Sequence, residues 1–330
     1  ASSKQLPWRI SLQENRIRRA TGRLTSLTGM KEKKLLTWAI GFVLLWNSGF
    51  IGAEYGLPYT GPFTLLFWRY LGLTLLLLLY LLLRGRLRWV GWRIAAYNML
   101  IGVLSHAMWL GCVLLALEHG VPAGIVALVV ALQPLATGAL SGLVTGERTH
   151  LFQWIGLGLG FLGVVLTVAL RIDFGSSESV VGYLIPLGSV MGITLATLLQ
   201  RRMQLEGASL TLPLDLTLLY QGLGTALIAA VPAIAVEQLA TQWEPAFVSA
   251  MAWLILAVSL GAYGLMWLLL HYVETTKVAS LFYLGPPITM LMAWLAFGDT
   301  VKPMDIAGLA VVFVGVALTQ VKGPVSSKIG

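Results

Sequence analysis

The sequence predicts an all-α membrane protein with ten transmembrane helices, arranged as two inverted five-helix repeats. Three observations support this fold class: the composition, a series of long apolar segments, and an internal repeat at a fixed offset. Of the 330 residues, 57% are hydrophobic and only 11% are charged. Soluble domains carry about 25% charged residues. Because this chain cannot cover a soluble core with polar side chains, we expect most of its surface to face lipid.

The apolar segments are long enough to cross a bilayer, which takes about 20 residues in a helix. They lie at roughly 35–53, 62–83, 94–117, 122–144, 151–170, 180–200, 210–232, 250–272, 277–297 and 304–321. Most of the linkers between them are short, so the sequence predicts a compact bundle.

The positions of lysine and arginine predict the orientation, because cytoplasmic loops of membrane proteins are enriched in both. With the N-terminus inside, 19 of the 22 basic residues fall on the inner side. Arg171 and Lys302 fall outside, and Arg69 lies within an apolar segment. We therefore expect a multi-pass protein of the plasma membrane, in bacteria the inner membrane. Residues 1–34 would form a basic cytoplasmic arm and residues 322–330 a cytoplasmic tail.

An internal repeat divides the chain into two halves, 35–170 and 171–321. Residues 124–168 align without gaps on residues 276–320, at an offset of 152. Identical pairs include Ala127/Ala279, Pro134/Pro286, Thr137/Thr289, Gly146/Gly298, Gly156/Gly308, Phe161/Phe313, Gly163/Gly315 and Thr167/Thr319. Five spans are an odd number, so the second half would enter the membrane inverted. Inverted repeats are typical of secondary transporters, whose substrate site lies near the midplane between the halves.

Three motifs resemble the EamA type of the drug/metabolite transporter superfamily. They are LLWNSGFIGAEYGL in the first segment, FTLLFWRYLG in the second, and the paired Pro134…Gly146-Glu147 and Pro286…Gly298-Asp299. The resemblance covers about residues 35–321 and implies a ten-helix transporter. Many members export amino acids, related metabolites or drugs.

The resemblance can be followed residue by residue. Trp46 matches the aromatic residue of the first-helix motif, and Arg69 matches the second-helix arginine. Asn47-Ser48 stand where glycine and a small polar residue are usual, and Glu54 stands where a basic or neutral residue is common. Asp299 replaces the usual glutamate.

Polar and aromatic residues inside the apolar segments are candidates for contacting substrate. We predict as cavity-lining residues Trp46, Asn47, Arg69, His106, Trp109, Gln133, Tyr220, Tyr263 and Tyr283. Ionisable groups at membrane depth usually face a cavity or a partner. Packing is the alternative for the aromatic residues, including the stripe of Ser259, Tyr263 and Trp267. Arg69 has two interpretations: it binds carbonyls and helix ends of its own half, or it contacts substrate.

His106 and Glu54 are the candidates for proton coupling, and His106 is favoured because it lies deeper in the membrane. His106 lies near the middle of the third segment, and the ordinary pKa of histidine is close to neutral. The alternative is a neutral imidazole that is hydrogen-bonded to a neighbouring helix. Glu54 lies near the outer end of the first segment, where it would either open into a vestibule or remain in interfacial water.

Prolines mark equivalent points in the two halves. Pro134 in the fourth segment and Pro286-Pro287 in the ninth each remove a backbone N–H and disturb the helix. Freed backbone groups at membrane depth are tolerated beside protein or a water-filled cavity. We predict hinges at these prolines, with a static kink as the alternative.

Other chemistry is not supported by any motif. The run GLGFLG (Gly158–Gly163) lies within an apolar helix with no strand before it, so it is not a dinucleotide site. Gly156 and Gly160 instead predict a close helix contact. The sequence contains no P-loop, HExxH or GxSxG motif. We therefore expect no catalytic residues, no metal, no cofactor and no nucleic-acid partner.

The function predicted from these observations is secondary active transport by alternating access. The protein would export a small polar or amphipathic metabolite, such as an amino acid, and would be a monomer or homodimer in the lipid bilayer. An uncoupled channel or facilitator is the first alternative, although no ring of like charge supports an ion pore. An intramembrane enzyme is the second.

Overall fold

The computed structural model describes residues 33–145, 151–169, 171, 177–206, 212–273, 278 and 280–319. These residues form helices that we number in chain order. They are α1 (33–56), α2 (Pro62–Leu83), α3 (Trp92–Glu118), α4 (Ala123–Val130 and Gln133–Thr145), α5 (Leu151–Ala169), α6 (Ser177–Glu206), α7 (Leu214–Ala235), α8 (Pro245–Tyr272), α9 (Phe282–Leu284 and Gly285–Phe297) and α10 (Pro303–Thr319). Nearly all of the predicted basic arm, the predicted tail and Gly146-Glu147 lie outside the described residues.

Seven of the helices are long and apolar enough to cross a membrane, among the residues that the structure describes. They are α1, α2, α3, α4, α6, α7 and α8. The apolar parts of α5, α9 and α10 are shorter, between 10 and 17 residues. The all-helical, multi-span fold class is therefore confirmed, and the count of ten spans stays a prediction.

The helix boundaries keep the offset of the internal repeat. Helix α2 begins at residue 62 and ends at 83, and α7 begins at residue 214 and ends at 235, which is 152 residues later at both ends. The sequence comparison found this offset only for residues 124–168. The structure extends it to the second helix of each half.

Helices at equivalent positions of the two halves pack against one another. Helix α2 contacts α7, α4 contacts α9, and α5 contacts α10. Between α5 and α10 the backbones approach closely: a Cβ on Gly163 would lie 2.6 Å from the carbonyl oxygen of Gly308. A Cβ on Gly315 would lie 2.6 Å from the carbonyl oxygen of Gly156 and 3.0 Å from the nitrogen of Gly160. The predicted glycine contact face is therefore present, on α5 toward α10.

Helices α4 and α9 are interrupted at equivalent points, as the prolines predict. Helix α4 breaks at residues 131–132, directly before Gln133-Pro134. Helix α9 has a tight 3₁₀ turn, Phe282–Leu284, directly before Gly285-Pro286. Proline has no N–H to donate and fits the first turn of a helix, so each proline begins a new helical segment. Motion at these points stays a prediction.

Two further helices are widened into π-helix, which the sequence did not predict. Residues Val103–Met108 of α3 and Trp253–Ala262 of α8 have this form. Adding 152 to 103–108 gives 255–260, which lies inside the α8 segment. π-helical turns are rare and are often found at functional sites. Their repetition in both halves therefore directs attention to the space between α3 and α8.

The long linker after α7 contacts the first turn of α2. The Glu237 carboxylate accepts hydrogen bonds from the backbone nitrogens of Phe63, at 3.0 Å, and Thr64, at 2.7 Å. These are free N–H groups in the first turn of α2, where a negative charge is also favoured by the helix dipole. The contact attaches a second-half loop to a first-half helix.

Candidate functional site

A small cavity lies between α1, α2 and α3 of the first half and α8 of the second. Its volume is about 30 Å³, enough for about two water molecules. It is lined by Trp46, Gly49, Phe50, Ala53, Arg69, Tyr70, Trp109, Leu110, Val113, Val258 and Tyr263. Four of the predicted lining residues are therefore brought together: Trp46, Arg69, Trp109 and Tyr263.

Trp46 is the centre of an aromatic cluster at this cavity. Its ring stacks on that of Trp109, with centroids 5.9 Å apart and planes at 23°. It also meets Tyr263 at 5.2 Å and Phe282 at 5.1 Å. Aromatic pairs at such separations add to the stabilisation that comes from burial. The cluster joins α1 and α3 of the first half to α8 and α9 of the second.

Arg69 is buried, with 4% of its surface exposed. Its Nε and Nη2 atoms donate to Ser259 Oγ at 3.1 and 3.0 Å, and its Cζ lies 5.7 Å from the centroid of the Tyr70 ring. The acceptor therefore belongs to the other half of the protein, which differs from the expected carbonyls of its own half. In the described part of the chain, no carboxylate lies within salt-bridge distance of this guanidinium.

His106 makes a second polar contact between the halves. Its Nε2 lies 3.3 Å from Gln221 Oε1, and its ring stacks on Tyr70 with centroids 5.0 Å apart. The side chain is 3% exposed, and its Nδ1 has no hydrogen-bond partner among the described residues. This geometry matches the alternative of an imidazole bonded to a neighbouring helix.

The Arg69 and Gln221 contacts are equivalent under the internal repeat. Residue 69 of α2 plus the offset of 152 gives residue 221 of α7. Arg69 reaches Ser259 in the π-helical segment of α8, and Gln221 reaches His106 in the π-helical segment of α3. Each half thus extends a polar side chain into the widened helix of the other half. We call these two contacts the inter-repeat clasps.

Asn47 makes a third contact across the halves. Its Nδ2 donates to the Val43 carbonyl at 2.7 Å, and its Oδ1 accepts from Thr289 Oγ1 at 3.0 Å. Both side chains are buried. Asn47 is not among the cavity-lining residues, because the contact with α9 turns it away from the cavity wall.

Glu54 directly follows the cavity-lining Ala53, close to the C-terminal end of α1. Its Oε2 is buried and has no hydrogen-bond partner among the described residues, and Asp299 is near enough for the two charges to interact. Asp299 follows α9. Burial raises the pKa of the Asp299 carboxyl, and the positive charge of Arg171 opposes that rise. The structure thus brings together two acidic residues of the resembling motifs, one from each half.

The remaining predicted residues lie outside the cavity wall. Gln133 donates to Thr137 Oγ1 at 3.2 Å on its own helix. Tyr220 directs its hydroxyl to the Arg88 carbonyl, at 3.5 Å. Adjacent residues of a helix do not face the same way, so Tyr220 points away from the site that Gln221 enters. Tyr283 lies in the 3₁₀ turn before α9 and packs against the core.

Sequence reasoning missed Thr289, Tyr70 and Phe50, and it did not pair Gln221 with Arg69. Gln221 could have been assigned as the counterpart of Arg69, had the offset been applied to the second helix. Thr289 was visible as one of the identical repeat pairs. Tyr70 and Phe50 gave no comparable signal, because single aromatic residues are common within apolar helices.

Comparison with known proteins identifies the family. The profile of the EamA-like transporter family matches the chain twice, over residues 33–169 and 180–321. The chain belongs to the EamA-like transporter family. The resemblance drawn from the three motifs is thereby confirmed. As an EamA-like protein, the chain is a membrane transporter and not an enzyme.

Several EamA-like relatives cover most of the chain. The inner membrane transporter YedA of Escherichia coli is 27% identical over 278 residues, 83% of this chain and 87% of its own. The transporter YvbV of Bacillus subtilis is 28% identical over 230 residues, 67% of this chain and 70% of its own. A protein of Salmonella typhimurium named as a probable amino-acid metabolite efflux pump is 23% identical over 210 residues, 61% of this chain and 68% of its own.

A solved crystal structure has the same fold. It superposes with a TM-score of 0.58 at 19% sequence identity, covering 87% of this chain and 97% of the other. At this identity the likeness concerns the fold alone. It supports the arrangement of helices described above for the EamA-like chain.

Proposed function

We propose that the protein is a secondary active transporter that works by alternating access and exports a small polar or amphipathic metabolite, such as an amino acid. The observation that carries this proposal is the cavity between the halves, flanked by the inter-repeat clasps. A site formed by both halves changes when one half moves against the other, as alternating access requires. The name of the Salmonella typhimurium relative supports an amino-acid-related cargo.

The proposed topology has ten spans in two inverted halves, with both termini in the cytoplasm of a bacterial cell. The packing of α2 on α7, α4 on α9 and α5 on α10 supports it, because each pair joins equivalent helices. The breaks before Pro134 and Pro286-Pro287 would serve as hinges. Short helices such as α9 would then shift as units when the halves move.

Side chains meet on both sides of the cavity, which supports a carrier rather than an open pore. Toward one end of α1, Tyr55 contacts Phe297 with ring centroids 4.8 Å apart. Toward the other end, Trp38 contacts Tyr272 at 5.8 Å. In a continuous channel, the side chains that line the pathway would stay apart along its whole length. We call the pair Tyr55 and Phe297 the Tyr55 contact, and the pair Trp38 and Tyr272 the Trp38 contact.

Counterflow in liposomes tests the proposal directly. Purified protein is reconstituted in vesicles loaded with an excess of unlabelled solute, and the entry of trace labelled solute is followed for amino acids, amines and organic acids. A carrier is expected to accumulate the label transiently above its equilibrium level, because inward steps are coupled to outward steps. Entry that only approaches equilibrium, for a solute that does cross, would indicate a facilitator instead.

Proton coupling is proposed to depend on Glu54 rather than on His106. His106 is 3% exposed and does not line the cavity, whereas Glu54 is only partly buried and directly follows the cavity-lining Ala53. We expect Glu54→Gln to reduce the rate of pH-gradient-driven transport by about tenfold or more. Counterflow should remain at the wild-type level. Glu244→Gln, an exposed residue before α8, is the matched control.

The same assay applied to His106→Gln separates the two candidates. Gradient-driven transport should persist in this variant, with some loss of stability from the changed contact with Gln221. If Glu54→Gln retains full gradient-driven transport and His106→Gln loses it, the assignment to Glu54 is wrong.

A further inference from the structure

We infer that the cavity binds an amphipathic carboxylate, with Arg69 as the residue that holds the carboxylate group, and that an ammonium group on the substrate contributes little to binding. This inference rests on the proposed transport function and names the class of its substrate.

The charge of the cavity wall is positive, and no acidic side chain that the structure describes pairs with it. Arg69 lines the cavity and is buried, and among the described residues its guanidinium has a single hydrogen-bond acceptor, Ser259 Oγ of the other half. A guanidinium carries five N–H donors in a fork that fits a carboxylate. Two of its nitrogens use the same serine oxygen, so acceptor capacity is short at this site. A ligand carboxylate would supply both the missing acceptors and the missing negative charge.

The other polar groups of the wall also favour an anion. The indole Nε1 of Trp109 is buried and has no hydrogen-bond partner among the described residues. An indole nitrogen can only donate. Tyr70 and Tyr263, which also line the cavity, add hydroxyl groups that can donate. The wall therefore presents mainly donors.

No acidic side chain lines the cavity, in the described part of the chain. A substrate ammonium would thus find no carboxylate there and would be repelled by the buried guanidinium. The remaining surface is aromatic and aliphatic, with Trp46, Phe50 and Val113 among its residues. This wall fits the apolar body of an amphipathic acid. Organic cations fit it poorly.

The present volume of about 30 Å³ accommodates a carboxylate-sized group and little more. The apolar body must therefore separate rings that now touch, first of all the Trp46 and Trp109 pair. Ligand binding is expected to change the tryptophan fluorescence of the protein for that reason.

Three ligands of matched shape test the inference on the purified full-length protein. 3-Phenylpropanoate carries only the carboxylate, phenylalanine carries both charged groups, and 2-phenylethylamine carries only the ammonium. Affinities are measured by calorimetry and by tryptophan fluorescence. We expect 3-phenylpropanoate to bind at least as tightly as phenylalanine, and 2-phenylethylamine to bind at least about tenfold more weakly than either.

Variants of Arg69 identify the group responsible. Arg69→Gln should bring the three affinities to within a few-fold of one another, and Arg69→Lys should preserve their order with weaker binding of the carboxylates. Arg86→Gln is the charge-matched control. Arg86 does not line the cavity, and its Nη1 forms a salt bridge of 3.0 Å with Asp215 Oδ2. This variant should leave all three affinities unchanged. Should Arg69→Gln fail to fold, the order of the three affinities measured on the wild-type protein still tests whether the cavity prefers a carboxylate to an ammonium group.

Two results would overturn the inference. One is binding of 2-phenylethylamine as tight as that of 3-phenylpropanoate. The other is no binding of any of the three ligands. In either case the proposed transport function is judged separately, by whether any solute gives counterflow.

Discussion

Ser259→Val is expected to destabilise the protein by about 3 kcal/mol, because it leaves the buried Arg69 guanidinium without its acceptor. Valine cannot accept a hydrogen bond, and because it is larger than serine, overpacking at this buried position adds to the loss. Ser259 is 2% exposed and Arg69 is 4% exposed, so water cannot readily replace the lost oxygen. The free energy of unfolding is to be compared by thermal or denaturant melts in detergent, followed by tryptophan fluorescence.

Ser249→Val is the matched control on the same helix. The Ser249 hydroxyl donates to the Ala246 carbonyl one turn earlier, and the residue is exposed. Substitutions of this kind usually change stability by less than about 0.5 kcal/mol. If Ser259→Val and the wild type had the same free energy of unfolding, Arg69 would have found another acceptor. The inter-repeat clasp between Arg69 and Ser259 would then not be needed for stability.

Gly102→Leu is expected to have an effect of similar or greater size, by separating α3 from α7. A Cβ on Gly102 would lie 2.7 Å from the carbonyl carbon of Gln221, which is backbone and cannot rotate away. The separation would also weaken the hydrogen bond from Thr225 Oγ1 to the Gly102 carbonyl, now 3.0 Å long. Overpacking of this kind costs about 1–3 kcal/mol or more, and the lost hydrogen bond adds about 1 kcal/mol. The yield of folded protein and its melting temperature should both fall.

Gly264→Leu on α8 provides the comparison, because nothing lies within 4 Å of a Cβ added there. Leucine is a better helix former than glycine by up to about 1 kcal/mol, so this variant should be neutral or slightly stabilised. If Gly102→Leu has the same melting temperature as Gly264→Leu, then α3 and α7 are not in the close contact described.

Long apolar helices and the internal repeat could be predicted from the sequence because both depend on residue type along one chain. The prediction of 62–83 coincides with α2, since Pro62 and the charged residues from Arg84 onward mark its two ends. Helix α8 begins at Pro245, five residues before the predicted start. There Glu244 and Pro245 provide the start signal, and the hydrophobic pattern begins later.

The π-helical segments could not be predicted, because no residue type distinguishes them from regular helix. One of them contains the first residue of the Ser259–Tyr263–Trp267 stripe. Ser259 lies in the widened segment, and Tyr263 begins the regular helix that follows. Ser259 is buried and Tyr263 lines the cavity, whereas Trp267 is 52% exposed.

The partners of the predicted site residues depend on how the two halves dock. Residue types and depth indicated that Arg69, Asn47 and His106 need partners, and each finds one across the halves. Which partner is chosen follows from three-dimensional packing. Tyr220 and Gln221 illustrate the limit, because both contact the first half, but Tyr220 reaches the Arg88 carbonyl and only Gln221 reaches His106.

Distances at the two ends of α1 test the central claim most directly, namely that the halves open one side of the cavity at a time. Spin labels are placed in a Cys112→Ala background at the Tyr55 contact (residues 55 and 297) or at the Trp38 contact (residues 38 and 272). Electron–electron distance distributions are then recorded in lipid, with and without a solute that gives counterflow.

Alternating access predicts that the solute shifts both distributions in opposite directions. The fraction of molecules with the Tyr55 contact open and the fraction with the Trp38 contact open should never add to more than one. A condition in which most molecules have both contacts open would contradict the account, because the protein would then hold a continuous pathway through the membrane.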